Sequence, residues 1–414
     1  MNITLDPRYT ADIHDLCLRY EHLLEQARQG MPSHAGSTGW LDPYAHADDV
    51  FLLRIEERAR VIRDEAEVVV IIGVGGSNNA ARTVIEATES GDRPRILYGG
   101  TSTSPHAMQS VLDEIDGKRV HLIVIAKNFE TLEPGASFRV LRRHLTQTCG
   151  AGAAHRITAI GSAGGRLEQL ALEHRWSFFP FPDDVGGRYS MFSAVALLPM
   201  AVAGLDIRSY LRSAAETKST LLAIEAQDNP PLRYAALRRH LYLDGYRGEV
   251  LSFFDPRMQY FLKWWIQLFA ESEGKGGNGL LPSGCFFSEE LHSMGQFLQD
   301  GTPSLFETFL ETRETCRGPA LSGDGIDDGF AYLDESSFVD LNHSARDAAI
   351  WAHHQHIPTN IISVGAPSEE TFGRLFMFFA LACVFSCEMA QVNPFDQPGV
   401  EAYKTMMFKT LKGT

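Results

Sequence analysis

Val68-Val69-Val70-Ile71-Ile72-Gly73-Val74-Gly75-Gly76-Ser77 decides the fold. Five consecutive apolar, β-branched residues offer no polar face, so this strand is buried on both sides, as in a parallel sheet covered by helices. Glycines then supply a tight turn, and a helical stretch over residues 78–89 follows. Strand, glycine turn and helix N-terminus together aim backbone N–H groups at one point, which makes an anion site. The dinucleotide fingerprint would place another glycine three residues after Gly75, where Asn78 stands. That disfavours a nicotinamide dehydrogenase.

Outward from this stretch the same grammar repeats. Short apolar runs at 95–98, 120–126, 157–160 and 176–181 complete about five strands. After the third run comes Lys127-Asn128-Phe129-Glu130-Thr131, with Thr131 placed to cap a helix whose first turn holds Pro134. Two such turns at the C-terminal ends of parallel strands can converge on one phosphate. Asp183-Asp184-Val185-Gly186-Gly187-Arg188-Tyr189-Ser190 then leads into an apolar helix over 191–203. Glycines flanking an arginine suit a backbone that approaches a ligand, with the guanidinium aimed at developing negative charge.

A helical linker over 206–226 opens a second unit, with strands expected at 250–254, 304–310 and 360–364. In it lies Gln267-Leu268-Phe269-Ala270-Glu271-Ser272-Glu273-Gly274-Lys275. Met258, Phe261, Leu262, Trp265 and Leu268 recur at helical spacing, so one face enters a core. Gln267 and Glu271, four apart, stand one above the other on a neighbouring face. Gly274, Gly276, Gly277 and Gly279 end the helix. A carboxylate near a helix C-terminus is mildly destabilised as an anion, which suits a general base. His292 and the cluster His353, His354 and His356 carry no metal-ligand spacing, and the Asp324 to Gly329 turn lacks the calcium-loop pattern.

Helices over 12–29 and 51–65 precede the first strand, and a strongly apolar helix over 372–391 follows the last. The expected organisation is therefore a helical segment 1–65, αβα units 66–205 and 206–370, and a helical segment 371–414. A length of 414 residues agrees with two cores rather than one. Gln397 and Lys404, seven apart, share a face if the last helix reaches back to Gln397.

Lys plus Arg total 37 against 52 Asp plus Glu, a formal charge of −15. Nucleic acid and anionic membrane are thereby disfavoured as partners. The six cysteines, Cys17, Cys149, Cys285, Cys316, Cys383 and Cys387, are scattered and form no C-x-x-C pair, as in a reduced, cytoplasmic protein. No apolar run reaches the length of a membrane span, and no signal peptide is visible.

Phe395-Asp396-Gln397-Pro398-Gly399-Val400-Glu401 with Lys404 resembles the C-terminal signature of glucose-6-phosphate isomerases. The Gly73 to Ser77 turn, the Val185 to Ser190 stretch, the Glu271 to Lys275 loop and the His292 segment resemble that family too, in its order. The resemblance implies two αβα sandwich subdomains of the sugar-isomerase (SIS) type with parallel sheets, a homodimer, and no metal or organic cofactor. It implies that Glu271 moves a proton between C2 and C1 of an open-chain sugar phosphate and that Arg188 stabilises the cis-enediolate. His292, given by the partner subunit, and Lys404 would open the ring. Gln267 and Gln397 would contact substrate. Gly76 and Ser77 would form the first phosphate turn, and Lys127, Asn128 and Thr131 the second.

The second turn departs from the family. Ala126 and Asn128 replace hydroxyl residues, and the carboxylate of Glu130 stands where threonine is common. A lost hydrogen bond to a charged group costs about 1.5–3 kcal/mol. The same chemistry on a different sugar is therefore a second reading, and a non-catalytic sugar-phosphate-binding regulator a third.

Overall fold

The computed structural model describes residues 1–88 and 93–413. Two five-stranded sheets organise the chain. The first is built from β2 (Val68–Ile72), β3 (Arg95–Gly99), β4 (Val120–Ala126), β5 (Ile157–Ser162) and β6 (Ser177–Phe181), in the order β3-β2-β4-β5-β6 with every pair parallel. The second takes β1 (Asn2–Thr4), β7 (Gly248–Phe253), β8 (Leu281–Phe286), β9 (Leu305–Glu311) and β10 (Thr359–Ser363), in the order β1-β10-β9-β7-β8. Each sheet is covered by helices on both faces, an αβα sandwich as expected.

Period-two burial explains why the strands read as unbroken apolar runs. Val69 and Ile71 of β2 and Ile123 and Ile125 of β4 face one core, whereas Val68, Val70, Ile72, Leu122 and Val124 face another. The second sheet repeats this. Leu251, Phe253 and Phe306 point into the core shared with the first sandwich, while Val250, Cys285 and Phe309 point outward into a third cluster. The shared core is crossed by the helix Glu369–Met389, whose residues 375–385 are all buried. That helix corrects the expectation that no apolar run is long enough to span a membrane. By length and composition it could cross a bilayer, but 89% of its apolar window is buried inside the protein. It is a core helix, apolar all round because it is packed all round.

Two strands were not legible in the sequence pattern. In β8, Pro282 and Gly284 interrupt the apolar run. The strand tolerates both because it is an edge pairing only with β7, where a missing N–H goes unneeded. At Gly284 a Cβ would collide with the Leu262 side chain, so glycine lets the helix Gln259–Glu273 lie close on the sheet. The strand β1 comes from the N-terminal segment read as helical. It pairs antiparallel with β10, so the second sheet is not wholly parallel. Asp6 fastens this edge, accepting from the Thr359 N–H at 3.2 Å and from Arg8.

Several element ends moved, three of them with consequences for the site or the packing. Residues 12–29 form two helices, Thr10–Arg19 and Glu21–Arg28, broken at Tyr20. The helix after the first glycine turn runs Asn79–Ala87, and Glu89, its expected end, lies outside the described residues. The C-terminal helix begins at Glu401 and does not reach back. Gln397 is non-helical (φ −156°, ψ 65°) and Pro398 and Gly399 start a short 3₁₀ turn, so Gln397 and Lys404 share no helix face. All six cysteines are free thiols.

Candidate active site

In the first sheet β2 connects to β3 on one side while β4 and β5 lie on the other. Right-handed crossovers then put the helices after β2 and β4 on opposite faces, and a crevice opens between the two strand ends. Loops 73–77 and 127–131 line that crevice from its two sides. The helix Asn79–Ala87, which follows the first loop, packs on the helix Gln259–Glu273 of the second sandwich. That contact brings the end of the second helix, and with it Glu271, to the first sheet's crevice.

Three chain segments meet at Arg188, which is only 3% exposed. Its Nε donates to Ser272 Oγ at 2.8 Å and its Nη1 to Glu271 Oε2 at 3.1 Å and Gln397 Oε1 at 3.4 Å. Its Nη2 donates to the carbonyls of Pro394 at 2.6 Å and Asp396 at 3.0 Å. All five N–H groups of the guanidinium are engaged. The long bond to Gln397 is the weakest of them and the one a substrate oxygen most easily replaces. On the backbone side, Trp264 Nε1 donates to the Arg188 carbonyl at 3.1 Å.

Glu271 is held from both oxygens. Gln267 Nε2 donates to its Oε1 at 2.9 Å, as the four-residue spacing predicted, and Asn79 Nδ2 in turn donates to Gln267 Oε1 at 2.8 Å. The chain Asn79–Gln267–Glu271–Arg188 thus runs from the first sandwich through the second and back. Glu271 keeps partial solvent access whereas Arg188 does not, so the carboxylate is the member of the pair that a ligand in the crevice can meet. Two residues on, Glu273 bonds the buried Arg238 at 2.6 Å, and Arg238 also pairs with Glu249 of β7. This fixes the end of the helix to its sheet.

The first glycine turn touches the arginine loop directly. A Cβ on Gly76 would run into the Gly187 carbonyl, and Gly75, at φ +57°, would place one 2.8 Å from Gln267 Nε2. Ser190 Oγ donates to the Gly76 carbonyl at 3.2 Å. Glycine is required here by close approach as well as by backbone angle. Ser77, partly exposed, closes the 3₁₀ turn that leads into the helix.

In the second turn, Thr131 stands before the helix Leu132–Cys149, and its hydroxyl donates to the Asn128 carbonyl at 2.9 Å rather than capping the helix. Asn128 Oδ1 accepts from the Glu130 N–H at 2.9 Å, and the Glu130 side chain is exposed. Lys127 Nζ donates to the carbonyls of Asp183 and Val185.

Two expected residues are not joined to this constellation within the chain. His292 is exposed on the 3₁₀ turn Glu289–His292. Lys404 sits on the C-terminal helix and pairs with Glu401 at 2.9 Å. Residues that the sequence did not single out complete the site. Asn79, Trp264 and Ser272 bond its principal groups, and Lys275 bonds Asp396 at 2.5 Å together with the Asn393 carbonyl, fastening the segment that carries Gln397. Ser272 and Lys275 were visible as neighbours of Glu271, but no spacing rule pointed to Trp264. Among the described residues no group of three or more His, Cys, Asp or Glu side chains is placed to hold a metal ion.

Residues 59–279 match the family model of phosphoglucose isomerase. Glucose-6-phosphate isomerase of Staphylococcus saprophyticus is 38% identical over 94% of this chain and 93% of its own.

The chain belongs to the phosphoglucose isomerase family.

Among solved structures, a hypothetical protein from Thermus thermophilus superposes with a TM-score of 0.89, at 24% identity, over 99% of this chain and all of its own. A glucose-6-phosphate isomerase from Chlamydia trachomatis superposes with a TM-score of 0.83, at 20% identity, over 99% of this chain and 88% of its own. At those identities the likeness establishes the fold. For a phosphoglucose isomerase relative the chemistry needs one base and one cation on the same sugar carbons. Arg188 and Glu271 are in hydrogen-bond contact across the two sandwiches.

Proposed function

We propose that this enzyme interconverts glucose 6-phosphate and fructose 6-phosphate by proton transfer through a cis-enediolate. The observation that carries the reading is the Glu271–Arg188 pair, 3.1 Å apart, at the crevice beside the first glycine turn. In the reaction Glu271 removes the proton at C2 and returns it at C1, and the electron pair left behind becomes the enediolate. The oxygens of that enediolate lie where the Arg188 guanidinium meets its charge, displacing the long bond to Gln397. Gln267 orients the carboxylate. The phosphate sits on the backbone of loops 73–77 and 127–131, where Gly76 and Ser77 face Asn128 and Thr131 across the crevice.

Ring opening is assigned to His292 and Lys404. Both are accessible, and neither reaches Arg188 or Glu271 within one chain. A homodimer in which His292 enters the partner's site accounts for that placement. Sedimentation equilibrium at micromolar concentration should give twice the chain mass of 45.9 kDa, and a monomer that retains full turnover would contradict the shared site. The six unpaired thiols suit the cytoplasm.

The reaction itself is tested by supplying fructose 6-phosphate and following glucose 6-phosphate with a coupled dehydrogenase. Turnover in the ordinary range of about 1–10³ s⁻¹ is expected. No conversion at high enzyme concentration would remove this reading.

A further inference from the structure

We infer that the Lys127 side chain is a positioning residue that holds the arginine loop, and that it does not bind the substrate phosphate; this rests on the isomerase reading above. Its ammonium donates to the Asp183 carbonyl at 2.9 Å and to the Val185 carbonyl at 2.8 Å. The Phe181 ring lies 5.5 Å from the same nitrogen, within cation–π reach. Two of the three ammonium donors are therefore spent on the loop that leads to Arg188.

The sequence of that loop explains the need. Between Val185 and Arg188 stand only Gly186 and Gly187, which bring no side chain to pin the chain. Glycine is required at 76 for close approach to 187, so the loop cannot be stiffened by bulk at that contact. It is held instead at its two ends. Downstream, Ser190 Oγ bonds the carbonyls of Gly187 and Gly76. Upstream, Lys127 bonds carbonyls 183 and 185. Lys127 is itself fixed, because its own carbonyl accepts from Ser162 Oγ at 3.0 Å. One residue of β4's end thereby sets the height of the loop from which Arg188 projects.

Swinging the ammonium to a phosphate would leave both carbonyls without their donor, and Val185 is a buried residue. An unpartnered buried acceptor is costly. Burial also lowers the proton affinity of the Lys127 amine, although Asp183 and Asp184 oppose that. A group so placed is suited to fixing carbonyls. The phosphate is left to backbone and neutral side-chain donors of the two turns.

Lys127→Met and Lys127→Arg separate the roles by two measurements on the full-length enzyme. These are kcat for fructose 6-phosphate and the Kd of inorganic phosphate by calorimetry. With Lys127→Met, kcat should fall on the order of 10–100-fold, the size of effect that a displacement of about 1 Å at a catalytic group produces. The phosphate Kd should stay within about two-fold, and Lys127→Arg, which can still donate to both carbonyls, should recover most of kcat. A phosphate Kd weakened tenfold or more, or an unchanged kcat, would overturn the inference. Should the methionine variant fail to fold, Lys127→Gln, whose amide reaches one carbonyl, is read on the same two quantities. A wild-type enzyme that binds phosphate yet never turns over would sink the isomerase reading instead, and the calorimetric comparison would still decide whether Lys127 is a phosphate ligand.

Discussion

Glu271→Gln should lower kcat by about 10²–10⁴-fold, the range that a positioned general base contributes. Glutamine keeps the length and can still accept from Gln267 or from Arg188. Its amide cannot take a proton from carbon. KM should change little, because the phosphate contacts proposed above lie on loops 73–77 and 127–131 and do not include residue 271. Steady-state assays on fructose 6-phosphate, with inorganic phosphate binding as the folding control, check this. A variant with kcat within tenfold of the wild type would assign the base to another residue. The same substitution distinguishes an enzyme from a regulator, since a protein that only binds sugar phosphate would be unaffected by it.

Arg188→Lys should cost on the order of 10²–10³-fold in kcat, the usual price of removing one oxyanion-stabilising donor. Lysine has three N–H groups where the site uses five. It cannot serve Ser272, Glu271, Gln397 and the carbonyls of Pro394 and Asp396 together, so the segment bearing Gln397 also loosens. Arg188→Ala goes further. It leaves Glu271 and two carbonyls without their cation, and because Glu271 keeps partial solvent access the cost stays below the about 3–5 kcal/mol of breaking a fully buried charged pair. Urea denaturation should therefore show the alanine variant markedly less stable and the lysine variant intermediate. Equal stability of all three would mean that the guanidinium is not the junction between the two sandwiches and the C-terminal segment.

Much of this arrangement could be read from residues alone, for a physical reason. Parallel strands buried on both faces are continuous apolar runs, so β2, β4 and β5 announced themselves. The glycine turn after β2 marked one side of the crevice, and the Gln267–Glu271 spacing gave a contact the structure contains. What could not be read depends on neighbours far away in sequence. The strand β8 hides behind Pro282 and Gly284 because its edge position and the approach of Leu262 are tertiary facts. The pairing of β1 with β10 joins residues about 360 positions apart, and no local pattern carries that. Gln397 reaches the site on non-helical backbone fastened by Arg188 and Lys275, not as part of a helix. Lys127 stood in the right motif, yet only the fold shows that its ammonium is occupied by carbonyls 183 and 185. His292 lies on an exposed 3₁₀ turn that makes no contact with Arg188 or Glu271 within the chain, and the partner-subunit role proposed for it is beyond what one sequence can specify.

In the proposed reaction one carboxylate, Glu271, moves the proton between neighbouring sugar carbons. Incubation of glucose 6-phosphate with the enzyme in deuterium oxide, followed by proton NMR of the C2 position, tests it most directly. The wild type should exchange the C2 hydrogen for deuterium while the Glu271→Gln enzyme, folded and still binding phosphate, should leave it in place. Deuterium entering C2 at an undiminished rate in the Glu271→Gln enzyme would contradict the account.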